Sequence, residues 1–79
     1  MSEYLTSEMG EATALSCLGF DIVSITGDRR KKQFVFDETP ELHKAVNNYW
    51  TKKLKVDALS FYNEFQLLRS RIINLKKYD

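Results

Sequence analysis

Apolar residues along this 79-residue chain change their period several times, and each change marks a new element. Residues 4–19 open with a short extended lead-in. Met9, Ala12, Leu15 and Leu18 then recur near helical spacing, with Ala14 and Cys17 widening the stripe. Thr6 or Ser7 is placed to cap this first helix, since a side-chain oxygen there can accept from an orphan amide. Gly19 is placed to end it in a left-handed turn, with Phe20 folding back onto the last turn.

The period then shortens. Phe20-Asp-Ile-Val-Ser-Ile-Thr26 and Gln33-Phe-Val-Phe-Asp37 are rich in β-branched and aromatic residues and flank a Gly-Asp loop, the signature of a hairpin. Strict alternation puts Phe34 and Phe36 on one face of the second strand, and Val23 with Ile25 on one face of the first. Two strands alone are marginal, so Tyr4-Leu5 could add a short third strand.

Thr39-Pro-Glu-Leu42 is a helix start, with Thr39 as cap and Pro40 where its missing N–H costs nothing. Leu42, Ala45, Val46, Tyr49 and Trp50 make one apolar stripe, and His43 lies on the polar side. Asp57 caps a last helix running to about Lys77. Its seam is Ala58, Phe61, Phe65, Leu68, Ile72 and Leu75, at spacings of three and four. The expected fold is α+β in a single domain over residues 1–79: a helix, an antiparallel hairpin, then two helices packed on one face of the sheet.

Several residue groups resemble a small uncharacterised domain family of phages, bacteria and archaea. They are Thr6-Ser-Glu8 with Ala12, Leu15 and Gly19-Phe20; Phe34-Val-Phe36; Pro40-Glu-Leu42 with Tyr49-Trp50; and Val56-Asp57 leading to Arg69-Ser-Arg-Ile72. The resemblance covers nearly the whole chain. It implies no particular activity and no catalytic residues, and its phage and mobile-element setting implies an accessory protein.

Net charge is only +1, but it is unevenly spread. Up to Gly27 the charged residues are Glu3, Glu8, Glu11 and Asp21; from Asp28 onward twelve cations face seven acids. Arg29, Arg30, Lys31 and Lys32 crowd the hairpin tip, and Lys52, Lys53 and Lys55 follow Tyr49-Trp50. These seven are the candidate contacts to nucleic-acid phosphates. The competing reading is a hydrated tip whose charges discourage edge pairing.

The last helix carries Leu59, Tyr62, Leu67 and Ile73 off its main seam. With Trp50 they form the candidate protein interface, because one apolar face suffices to cover a small sheet. A protein partner or a homodimer is therefore the leading expectation, and nucleic acid the second.

Nothing in the sequence calls for a cofactor, a metal or a small-molecule substrate. One Cys and one His cannot build a structural zinc site, and Cys17 reads as a small buried hydrophobe. Glu41 and His43 diverge by about 200° round a helix, so no nucleophile–base set forms and enzymatic function is not expected. With no basic-then-apolar start and no long apolar run, a cytoplasmic location is the expectation.

Overall fold

The computed structural model describes residues 2–28 and 30–75. Arg29 and Lys77, named above, lie outside the described residues, as does the side chain of Leu75. The elements run β1 (Glu3–Thr6), α1 (Met9–Cys17), β2 (Ile22–Gly27), β3 (Lys32–Asp37), α2 (Pro40–Trp50) and α3 (Ala58–Leu75). This is the expected α+β fold, with the optional third strand present.

The sheet is antiparallel in the order β1-β3-β2, so β3 lies between the other two strands. Tyr4 pairs with Phe36 and Thr6 with Phe34 on one side; Ile22 pairs with Phe36 and Ile25 with Phe34 on the other. Phe34 and Phe36 are fully buried beneath the helices. Ala12 and Leu15 of α1, Leu42 and Ala45 of α2, and Leu68 and Ile72 of α3 complete the core around them.

Helix α1 packs against both α2 and α3. That central position buries Glu11, Ala12, Thr13, Ala14 and Leu15 in succession, where a surface helix would bury one stripe.

Three expectations need correction. Val23 and Ile25 do not share a face: a bulge between Ile22 and Ser24 sets two residues opposite Val35 and resets the alternation. Ile22 and Ile25 consequently pack on the core, while Val23 is 54% exposed. The cap of α1 is Glu8, whose carboxylate accepts from the Gly10 amide; Thr6 lies within β1, and Ser7 does not cap. Leu18 is exposed, because the helix has ended before its stripe would carry that residue to the core.

The remaining caps match the local chemistry. Thr39 accepts from the Leu42 amide at 3.0 Å, and Asp57 from the Ser60 amide at 2.9 Å. Gly19 takes φ +96°, with Gly19 N–H donating to Ser16 and Phe20 N–H to Leu15.

Candidate interaction surfaces

Three groups of side chains stand out once the core is assigned: one flank of α3, the end of the domain that carries the hairpin tip, and a buried polar cluster between β1 and α1.

The seam of α3 divides along its length. Leu68 and Ile72 enter the core, Phe61 and Phe65 are only partly buried, and Ala58 is exposed. The rings of Phe61 and Phe65 stack at a centroid distance of 6.4 Å. With Tyr62, Gln66 and Arg69 they line an open, largely apolar hollow of about 400 Å³.

The flank beside that hollow is Leu59, Tyr62, Gln66, Arg69 and Ile73, which fall within about 80° of arc at 100° per residue. Leu59 is 67% exposed, Tyr62 57% and Ile73 48%. The Gln66 side chain donates to the Tyr62 hydroxyl at 2.8 Å and holds that ring in place along the helix.

The five candidate interface residues are all exposed, but they do not form one patch. Leu67 lies about 140° round the helix from Tyr62. It borders a separate hollow of about 420 Å³ with Ser16, Asp21, Ile22, Glu64 and Arg71. Trp50 sits on α2, its ring edge-on to that of Tyr49 at 5.1 Å. Only Leu59, Tyr62 and Ile73 share a stripe.

At the hairpin tip, Asp28 accepts from the amides of Arg30 and Lys31 at 2.8 and 2.9 Å. The Lys31 amide, then that of Arg30, holds this carboxyl below the usual aspartate range. Asp28 thus shapes the turn through the backbone, and the Arg30 and Lys31 side chains form no ion pair among the described residues. The tip borders a cavity of about 560 Å³ lined by Ser7, Thr26, Gly27, Arg30, Lys31, Lys32 and Gln33.

The candidate basic residues after α2 separate. Helix α2 closes with the Lys52 amide donating to Tyr49 and that of Lys53 to Asn48, and Lys52 itself takes φ +64°. Glycine normally occupies this left-handed position, so Lys52 is held there against its own preference. The Tyr49 hydroxyl lies against Gly10, in the first turn of α1, one turn from Ser7 of the tip cavity. Lys52, Lys53 and Trp50 therefore share an end of the domain with the tip. Lys55 follows as the chain departs toward Asp57, whose charge reaches Cys17 at the far end of α1.

Burial, then the charges of Glu64 and Asp57, push the Cys17 thiol up. Cys17 is thus partly buried rather than fully enclosed as its stripe suggested, because α1 ends there, and its thiol stays protonated.

The buried polar cluster was not legible in the spacing. Glu11 is only 2% exposed; it accepts from the Tyr4 hydroxyl and from Thr6 Oγ1, the latter at 2.8 Å. Thr6 Oγ1 in turn accepts from the Glu8 amide at 3.1 Å. Burial first, and then the bond to Glu11, raises the Tyr4 hydroxyl well above the usual tyrosine range. Alternation along β1, which turns both hydroxyls toward α1, is the one signal that could have found it. His43 packs edge-on to Tyr4 and sets Nε2 2.5 Å from Glu38 Oε2, so its polar partner is Glu38 rather than Glu41.

No helix among the described residues is long and apolar enough to cross a membrane. No group of three or more His, Cys, Asp or Glu side chains among them could hold a metal ion. Residues 1–74 match the family model DUF5659, a domain of unknown function, and the chain belongs to that family. No curated protein and no solved structure matches the chain.

Proposed function

We propose that this member of the DUF5659 family is an interaction module that pairs with a second copy of itself along α3. The observation that carries the reading is the stripe Leu59, Tyr62, Gln66, Arg69 and Ile73, spaced three, four, three and four and exposed at every position but the half-buried Gln66. A supercoiled helix partner requires that spacing. The core seam of the same helix is already occupied by Leu68 and Ile72, so the stripe is a second seam without an internal partner.

A second copy suits the stripe chemically. In an antiparallel pair, the guanidinium of Arg69 from each copy lies across the Tyr62 and Phe65 rings of the other, and a guanidinium over an aromatic face is attractive. The apolar ends, Leu59 and Ile73, stay at the margins, and the contact is two-fold symmetric, the commonest arrangement of soluble oligomers. The hollow beside Phe61 and Phe65 then receives apolar side chains in place of water.

The pairing is expected to be weak. Three half-exposed apolar side chains per copy, six in all, give at most roughly 4.5–9 kcal/mol, half of the about 1.5–3 kcal/mol for each full burial. Association costs about 4–15 kcal/mol, so at most about 5 kcal/mol remains, a dissociation constant of roughly 0.2 mM or weaker.

Light scattering coupled to size exclusion, from micromolar to millimolar protein, tests the reading. The expected result is a mass rising toward the dimer, abolished by Tyr62→Glu and unaffected by Leu67→Glu on the other side of α3. A monomer throughout that range, or equal sensitivity to both substitutions, overturns it.

A further inference from the structure

We infer that the end of the domain formed by the hairpin tip and the close of α2 binds single-stranded nucleic acid, with Trp50 as the stacking platform. This surface is separate from the α3 stripe and does not depend on the pairing proposed there.

Four observations converge. Arg30, Lys31 and Lys32 border one cavity together with Ser7 and Thr26, so residues whose cations and hydroxyls can bond phosphate oxygens surround the same space. The basic side chains at this end form no salt bridge among the described residues, so their charges are not neutralised internally. Three acids lie near this end and each is hydrogen-bonded within the chain: Asp28 to the tip amides, Glu8 to the Gly10 amide, and the buried Glu11 to Tyr4 and Thr6. Trp50 is 58% exposed although it ends an otherwise apolar stripe, and Lys52 and Lys53 follow it directly.

The fourth observation is conformational. Lys52 occupies a left-handed position that glycine would fill without strain. Residues held in such positions concentrate at functional sites. Here the position carries a cation two residues after Trp50, within a nucleotide's length of chain from the proposed stacking ring.

A single strand fits better than a duplex. An exposed ring followed by lysines accepts unpaired bases whatever their sequence, whereas a base in a duplex keeps its faces covered by its neighbours. The five described cations proposed for this surface, Arg30, Lys31, Lys32, Lys52 and Lys53, can neutralise up to five phosphates. For single strands the logarithm of affinity then falls with the logarithm of salt by a slope of up to about −3.5.

The chain contains one tryptophan, so its emission reports directly on Trp50. Titration of the full chain with a fifteen-nucleotide oligothymidylate at low salt should quench that emission, and raising the salt should release it. Anisotropy of a labelled oligonucleotide then reads the variants. Arg30→Glu with Lys31→Glu should weaken binding at least tenfold and flatten the salt slope by roughly 1.4, the share of two phosphates. Trp50→Ala should weaken binding about tenfold, and Trp50→Phe should restore most of the loss. Circular dichroism melts of each variant verify that it is folded.

No quenching at low salt overturns the inference. Retention of affinity in the Arg30/Lys31 double variant does so too. Equal binding of polyglutamate, or of a duplex that leaves Trp50 emission unchanged, overturns the assignment to a single strand.

Discussion

Replacing Glu11 by alanine removes the one acceptor that Tyr4 and Thr6 share, and the loss can be sized from burial. Thr6 is 8% exposed, so its hydroxyl loses its acceptor with little water to replace it, a penalty of about 1–3 kcal/mol. The Tyr4 side chain is only partly buried, so solvent recovers part of its loss, which is about 1 kcal/mol. Truncating the buried methylenes of Glu11 adds about 1 kcal/mol. The total is about 3–5 kcal/mol, against roughly 4–12 kcal/mol for a whole domain of this length.

At about 4–8 °C per kcal/mol, Tm should fall by at least about 12 °C. Urea unfolding of Glu11→Ala, Tyr4→Phe and the double variant closes a cycle, and the expected coupling between the two positions exceeds about 1 kcal/mol. Additivity within about 0.5 kcal/mol would refute the reasoning, because the two side chains would then not depend on each other.

Two further outcomes follow from features of the same domain. Lys52→Gly should raise stability by about 0.5 kcal/mol in a urea melt, the left-handed strain relieved being partly offset by the entropy of an added glycine. The same variant should bind oligothymidylate less tightly, so stability and binding move in opposite directions; a loss of stability would show that Lys52 is not strained. The Tyr4 hydroxyl has its folded pKa raised above the ordinary value near 10, so its contribution is complete below about pH 10 and is lost as the unfolded chain ionises above it. Tm should therefore fall more steeply with alkaline pH in the native chain than in Tyr4→Phe, and identical profiles would contradict the assignment.

Elements set by local chemistry could be read directly from the residues. Thr39-Pro40, Asp57 and Gly19 each satisfy or release backbone groups within a few positions of themselves, so the caps of α2 and α3 and the end of α1 were legible. Elements set by distant packing were not. The bulge at Val23 depends on pairing with Val35, and no residue of β2 announces it. Glu11 looks like a solvated first-turn acid until β1 brings two hydroxyls to it across the sheet margin. Phe61 and Phe65 share the period of Leu68, but the period cannot say how far along α3 the core extends.

The candidate surfaces were legible in a similar way. Exposure of Leu59, Tyr62, Leu67, Ile73 and Trp50 was foreseeable from an excess of apolar positions. Their division among three faces needed the helix phase and the packing of α1 between its neighbours. The placement of the close of α2 beside the start of α1 needed the contact of Tyr49 with Gly10, which joins segments about forty residues apart.

The placement of β3 between β1 and β2 has a bearing on assembly. The hairpin strands are neighbours in sequence and can zip locally, whereas β1 must return across a long interval to meet Asp37. Until it arrives, β3 presents an unsatisfied ladder of amides and carbonyls that would accept the same strand from another chain. The carboxylate that grips Tyr4 and Thr6 fastens β1 to α1, so the edge strand is tied to the helix that packs between α2 and α3 as well as to β3.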